Sequence, residues 1–279
     1  MNFKTLLAAA AVSMIAGGAV AQTAEWRTVS PENLWVIDTA KGRVLVELEP
    51  RAAPSHIERI RTLTQQGFYD GLKFHRVIPN FMAQTGDPKG TGEGGSELPD
   101  LKGEFSFRRG RDSGFVAVEN SGPGVRGIMG SLPITTQPDA QMFVTADFKV
   151  GASGLFCPGV AGMARAGSPD SANSQFFLMT GQNDNLNGGY TTFGRVVQGL
   201  DVVKALKAGD DAEDGKVADP DVMTKVQLAS ALPEGQRPTV RAATPGSPAF
   251  NAAVEAARTA RGAQFGICDV QPVVEVTGG

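Results

Sequence analysis

Residues 34–49, LWVIDTAKGRVLVELE, hold two β-rich runs on either side of a Thr-Ala-Lys-Gly turn. Val44, Val46 and Leu48 alternate with Leu45, Glu47 and Glu49, which predicts a strand with a largely polar second face. Pro54 and Ser55 open a helix. Ile57, Ile60 and Leu63 recur at helical spacing with Glu58, Arg59 and Arg61 outward, until Gly67 stops it. His56 falls in the first turn, where a capping or surface role is expected rather than catalysis. Strand character returns over residues 72–85 around Pro79, and a glycine-rich loop fills 86–104. Residues 107–153 carry their own apolar pieces, Phe115 to Val118 and Met142 to Val144, between Gly and Pro turns. Strand patterning resumes at Gly159 to Ala164, Gln175 to Met179 and Tyr190 to Val197. Leu200 to Leu206 predicts a short second helix ended near Gly209, and Val222 to Ala229 a closing strand. Short strands at regular spacing with two core helices predict a single closed antiparallel β-domain over about 30–230. After 230 the composition shifts to Pro, Ala and Gly. There Pro248 to Arg261 predicts one helix with Gly262 as its stop, inside a C-terminal extension, 231–279. No internal repeat is visible.

Composition adds boundaries rather than detail. Of 279 residues, 41% are hydrophobic and 20% charged, the balance of a globular chain able to bury a core. The 35 glycines favour strands and turns over a helical bundle. A net charge of -3 without like-charge runs gives no footing for a nucleic-acid or anionic-membrane partner. Residues 1–21 read as a leader: Lys4, an apolar run from Leu6 to Val20, and Ala19-Val20-Ala21 before Gln22. Cleavage after Ala21 would leave a periplasmic or secreted protein with no membrane insertion, and the apolar run is short for a span. Cys157 and Cys268 leave two readings open, one disulfide in an oxidising compartment or two small buried hydrophobes. Without a Cys-x-x-Cys, and with two histidines in all, neither a metal centre nor a hydrolase triad is indicated, and no cofactor is expected. Gly122 to Gly127 has dinucleotide-binding spacing, but a proline sits inside it and no long helix follows. Asn183, Asn185, Asn187 and Gly188 mimic the start of a calcium loop, yet Gly194 stands where its bidentate Glu belongs.

The most informative segment is FHRVIPNFMAQTGDP, Phe74 to Pro88. Strand alternation lets Arg76 and Gln84 share one side across a bend at Pro79-Asn80, with Phe81 and Met82 flooring an apolar groove. Taken singly, this is also what an ordinary strand with a snorkelling arginine looks like. A second segment, GMARAGSPDSANSQFFLM, supplies Ala164, Arg165, Ala166, Gln175 and Phe177 after another loop. With GTG at Gly90 to Gly92 and LNGGYTTFGRVV at Leu186 to Val197, these motifs resemble the cyclophilin family in the right order. The resemblance covers about 34–230, excluding most of 107–153.

The resemblance implies a mainly β fold: a closed eight-stranded antiparallel β-barrel capped by two helices, here with an inserted segment and a C-terminal extension. It implies peptidyl-prolyl cis-trans isomerase activity on proline-containing polypeptides in unfolded or extended segments, by a monomer. Arg76 then stands as the catalytic arginine, with Gln84 steadying the carbonyl side. Phe81, Met82, Phe177, Leu186 and Tyr190 would line the proline pocket. Gln175 and the Arg165 backbone would hold the flanking peptide, and Ala164 and Ala166 would keep the neighbouring subsite shallow. Two positions depart from the family's pattern. Asn185 replaces a tryptophan whose indole donates to cyclosporin, which implies weak binding of that drug, and Tyr190 replaces a histidine. The insertion reads as an ordered flap or hairpin beside the groove, with substrate-selecting lid and plain surface decoration both open. The rival function is a proline-peptide binding module or holdase chaperone without turnover, against which an intact Arg76 argues.

Overall fold

The computed structural model describes residues 24–122 and 124–279, so the expected leader lies outside the described residues. The chain lays down β1 (Trp26–Thr28), β2 (Leu34–Thr39) and β3 (Gly42–Leu48), then α1 (Pro54–Gln65), β4 (Arg76–Ile78) and β5 (Met82–Thr85). β6 (Phe107–Arg109), β7 (Val116–Ser121), β8 (Gly124–Met129), β9 (Leu132–Thr136) and β10 (Val150–Gly154) follow. Next come β11 (Val160–Met163), β12 (Phe176–Met179), β13 (Thr192–Gln198), α2 (Leu200–Lys204) and β14 (Met223–Leu228). β15 (Thr239–Ala243), α3 (Pro248–Arg261) and β16 (Val274–Thr277) end the chain.

Eight strands form one antiparallel sheet in the order β14-β2-β3-β13-β11-β12-β5-β4. This corrects the expectation of a closed barrel. The sheet is curled but open, because β4 and β14 are its two ends and no ladder joins them. The gap is spanned by isolated bridges, Lys73↔Val222 and Arg76↔Lys216, and the strands are too short to zip further. Inside the curl, Trp35, Tyr69, Phe176 and Phe193 pack ring against ring with the inward residues of β2, β3 and β13. α1 packs on β14 and α2 on β3.

The second face of β2 and β3 is not open to water. Leu34, Val36, Leu45 and Val197 form a separate apolar layer with Val29, Val240 and Ala242, contributed by the chain's two ends. The polar residues of that face are paired there, Glu47 with Arg27 and Glu49 with Arg51. A strand pattern shows which positions are polar, whereas the cover on that face comes from β1 and β15, paired to each other more than 210 positions apart in sequence, as in Trp26↔Ala243.

Residues 107–154 form their own five-stranded sheet, β6-β10-β9-β8-β7, and β1, β15 and β16 form a third sheet. α3 starts at Ser247, whose hydroxyl accepts from the Phe250 N–H, and it buries Phe250 and Val254 against the insertion's apolar side. A disulfide joins Cys157 to Cys268, resolving the two readings left open for that pair.

Candidate functional site

Cross-strand register builds the site. β4 pairs with β5 so that Arg76 lies opposite Gln84, and β5 pairs with β12 so that Gln84 lies opposite Phe177. Directly opposed residues in antiparallel strands project to the same face, so these three side chains stand in one row. The row continues to Gly162 on β11, where a Cβ would lie 2.6 Å from both the Phe156 and Phe177 rings. Glycine is required there by close approach, and it gives Phe177 its place. Ile78, Met82 and Met179 make the next row.

The result is a pocket of about 130 Å³ lined by Arg76, Phe81, Met82, Gln84, Ala164, Arg165, Phe177, Leu186 and Tyr190. All nine are sequence-predicted site residues. The other two, Ala166 and Gln175, line a neighbouring cavity of about 520 Å³ that shares Gln84, Ala164 and Arg165 with the pocket. That cavity is also walled by Gly92 to Ser96, Asp100, Ser171 and Asn173. The alanines form one side only. The glycine-rich loop, whose course the sequence does not specify, supplies another.

The polar side of the pocket is a directed relay. Arg76 Nη1 donates to Gln84 Oε1 at 3.2 Å, and Gln84 Nε2 donates to Gln175 Oε1 at 2.9 Å. Gln175 Nε2 donates to the carbonyls of Gly92 (2.9 Å) and Gly94 (2.7 Å). That loop is gathered by Asp87, whose carboxylate accepts from the N–H groups of Lys89, Thr91 and Gly92. Burial alone would raise the Asp87 pKa, but these donors, with that of Gly94, outweigh it and hold it down at about 2.

The apolar side is an aromatic corner. Phe177 lies 6.1 Å from Tyr190 between ring centroids, and Phe156 stands behind both at 5.6 and 6.4 Å. The Arg165 guanidinium lies 4.4 Å over the Tyr190 ring and donates through Nε to the Gly189 carbonyl. Asn185 is exposed beside Leu186 on the pocket's rim.

Sequence reasoning missed three contributors. Phe156 follows the insertion, and its N–H is held by Asn187 Oδ1 at 2.9 Å. Asp87 stands inside the first motif, where strand alternation assigns it no part in the groove. Asp214 reaches Arg76 from 138 positions away, and its only local signal is an Asp-Gly turn dipeptide. His75, next to Arg76, is buried away from the pocket, and burial lowers its pKa against the pull of Asp87. Among the described residues no group of three or more His, Cys, Asp or Glu is placed to hold a metal ion.

Residues 34–228 match the family model for cyclophilin type peptidyl-prolyl cis-trans isomerase/CLD. A Brucella suis protein named "Probable peptidyl-prolyl cis-trans isomerase" is 37% identical over 82% of this chain and 97% of its own length. A Schizosaccharomyces pombe protein, "Peptidyl-prolyl cis-trans isomerase ppi1", is 32% identical over 61% of this chain and 82% of its own. The crystal structure of the Hirschia baltica cyclophilin AquaCyp293 superimposes with a TM-score of 0.80 at 33% identity, covering 91% of this chain and 95% of that one.

Proposed function

The chain belongs to the cyclophilin-type peptidyl-prolyl cis-trans isomerase family, and from that premise we propose that it accelerates X-Pro bond rotation in exported proteins through Arg76. The observation that carries the mechanism is a guanidinium, held by Gln84 and Asp214, beside the apolar side chains of Phe81, Met82, Phe177 and Leu186, in a pocket whose lining offers no acid–base pair. None is needed. The amide barrier of about 18–20 kcal/mol comes from resonance across the C–N bond, so the reaction is a rotation and not a bond exchange. X-Pro bonds have only a small trans preference, yet uncatalysed exchange takes tens to hundreds of seconds.

As the bond twists, the prolyl nitrogen pyramidalises and its lone pair, released from amide resonance, localises on it. A donor aimed at it binds the twisted state better than either planar one, which is what lowers a barrier. Arginine suits the task because it stays charged and presents a rigid fork of donors. In this reading Phe81, Met82, Phe177, Leu186 and Tyr190 hold the proline ring, while Gln84 steadies the carbonyl that swings. Gln175, Ala164, Ala166 and the Arg165 backbone hold the preceding residues in extended form. Placement in the periplasm or outside the cell, after removal of 1–21, belongs to the same proposal, as does action as a monomer on unfolded or extended proline-containing segments. Support comes from the leader-like composition of 1–21 and from the disulfide, which persists in oxidising compartments.

An exchange assay on a short X-Pro peptide tests the mechanism. Arg76→Ala should lower kcat/KM by about a hundredfold, the scale of removing one donor from a developing charge. A wild-type rate no higher than background would instead favour a pure binding module or holdase.

A further inference from the structure

Arg76 sits on β4, an end strand of the open sheet, so its outer edge must be satisfied by something other than a ladder. The segment from Gly209 to Val217 does this. The Gly209 N–H donates to the Val77 carbonyl at 2.9 Å, the Val77 N–H to the Gly215 carbonyl at 2.8 Å, and the Val217 N–H to the His75 carbonyl at 3.0 Å. The turn inside this segment is closed by Asp210. Its side chain accepts from the Ala212 N–H, its carbonyl accepts from the Gly215 N–H, and its own N–H donates to the Lys216 carbonyl. A Cβ at Gly215 (φ +78) would lie 2.3 Å from Ile78 Cγ1, so the turn docks flush against β4.

That docking places Asp214 in the left-handed region, φ 54 and ψ 39, which aspartate tolerates better than most residues. Both of its acceptors then meet the Arg76 guanidinium. The Asp214 carbonyl accepts from Nε at 2.9 Å, and the carboxylate Oδ1 accepts from Nη2 at 2.9 Å. Gln84 takes Nη1 from the other side. Three contacts therefore fix the plane of the guanidinium, and its Nη1 corner lies 3.9 Å from Met82 Sδ, on the pocket floor.

We propose that Asp214 is a positioning residue for the isomerisation: it clasps the back of Arg76 so that the Nη1 corner faces the prolyl nitrogen. It lines neither the pocket nor the neighbouring cavity. The inference rests on the reading of Arg76 as the donor. Its logic is pre-organisation: an arginine free to swing on its side chain must be ordered in each twisted state, and a clasped one is ordered beforehand.

The test uses Asp214→Gly, Asp214→Asn and Arg76→Ala, with kcat and KM measured separately by NMR exchange on an uncharged X-Pro peptide. Glycine keeps the left-handed turn and the backbone carbonyl but removes the carboxylate. Asp214→Gly should lower kcat about fivefold, the upper range for an exposed charged pair, with KM and the urea midpoint unchanged. Asp214→Asn, which keeps a side-chain acceptor without the charge and tolerates the same φ, should recover only a minor part of that loss. Because Asp214 is exposed, salt gives a second readout. At about 1 M NaCl the wild-type kcat should fall towards that of Asp214→Gly, while the glycine variant stays put. Wild-type kcat in Asp214→Gly, a loss confined to KM, or a glycine variant as salt-sensitive as the wild type would each overturn the clasp. Arg76→Ala separates the two readings: if it is slow while Asp214→Gly is normal, only the clasp fails. If Arg76→Ala keeps wild-type kcat, the role of Arg76 fails and the clasp with it.

Discussion

A glutamine amide has a donor end and an acceptor end, and in this pocket the order of the ends is set from a distance. Gln175 spends its NH₂ group on two loop carbonyls, so its oxygen must face Gln84. Gln84 then gives its own NH₂ group to Gln175, which leaves its oxygen for Arg76. Asn185 is the other residue-scale feature with a consequence. It is exposed on the rim beside Leu186, where the family's pattern has an indole donor. Cyclosporin should therefore inhibit weakly, and Asn185→Trp should tighten inhibition by about tenfold, the worth of one net hydrogen bond, while peptide isomerisation stays unchanged. Nanomolar inhibition of the wild type would sink this reading. Single residues of the groove were largely legible in the sequence, because Arg76, Phe81, Met82 and Gln84 come from one continuous run whose strand alternation is visible. Asp214 was not, because an Asp-Gly pair announces a turn without saying which strand edge the turn will cover.

Among elements, α1 shows why a local pattern misjudges a residue. In the first turn of α1, His56 is expected in a capping or surface role, but its side chain is fully buried. Its Nδ1 lies 2.7 Å from the Glu104 carboxylate, and that carboxylate also accepts the Ser55 and His56 N–H groups. The helix opens without a side-chain cap of its own and takes one from a residue 48 positions later. No local signal reports such a cap. Burial lowers the His56 pKa, with Glu104 opposing it, and burial likewise lowers that of His75. For both, the unfolded chain binds protons more tightly than the folded one, so stability rises with pH. It is full above about pH 6.5, the unfolded value, and drains as pH falls through the lower folded values. Glu104 is also depressed, so its contribution is lost only below the ordinary carboxylate range and does not disturb this window. The urea midpoint should therefore be lower at pH 5.5 than at pH 7.5, and His56→Asn should flatten part of that slope. With two histidines in the chain, the assignment is clean. A midpoint that is flat or rises on acidification would contradict it.

At the scale of the whole molecule, the curled sheet, the insertion and the C-terminal extension meet behind the pocket. Arg195 of β13 is fully buried and has no carboxylate partner among the described residues; it donates to the carbonyls of Pro158, Ser131 and Val270. One side chain so joins the sheet, the β8–β9 turn and the tail. The disulfide repeats the connection covalently: Cys157 follows Phe156, the ring behind Phe177, and Cys268 precedes the Val270 that Arg195 holds. The chain left the bridge as one of two readings for the cysteines and gave no sign of the Arg195 junction, because its three acceptors come from segments far apart in sequence. The consequence is measurable. A bridge spanning 111 residues restricts a large loop in the unfolded chain, for which typical stabilisation is about 2–4 kcal/mol. Replacing both cysteines by serine should lower the unfolding free energy in urea by that amount, and reductant should reproduce the loss in the wild type without affecting the variant. If wild type and variant share one midpoint with and without reductant, the covalent link contributes nothing. The tail would then be held by Arg195 and by Phe250, Val254 and Ile267 in the shared apolar cluster. Arg195→Ala discriminates between these cases: leaving the buried Ser131 and Val270 carbonyls and the partly buried one of Pro158 without their donor should cost about 3 kcal/mol, whether or not the disulfide is intact.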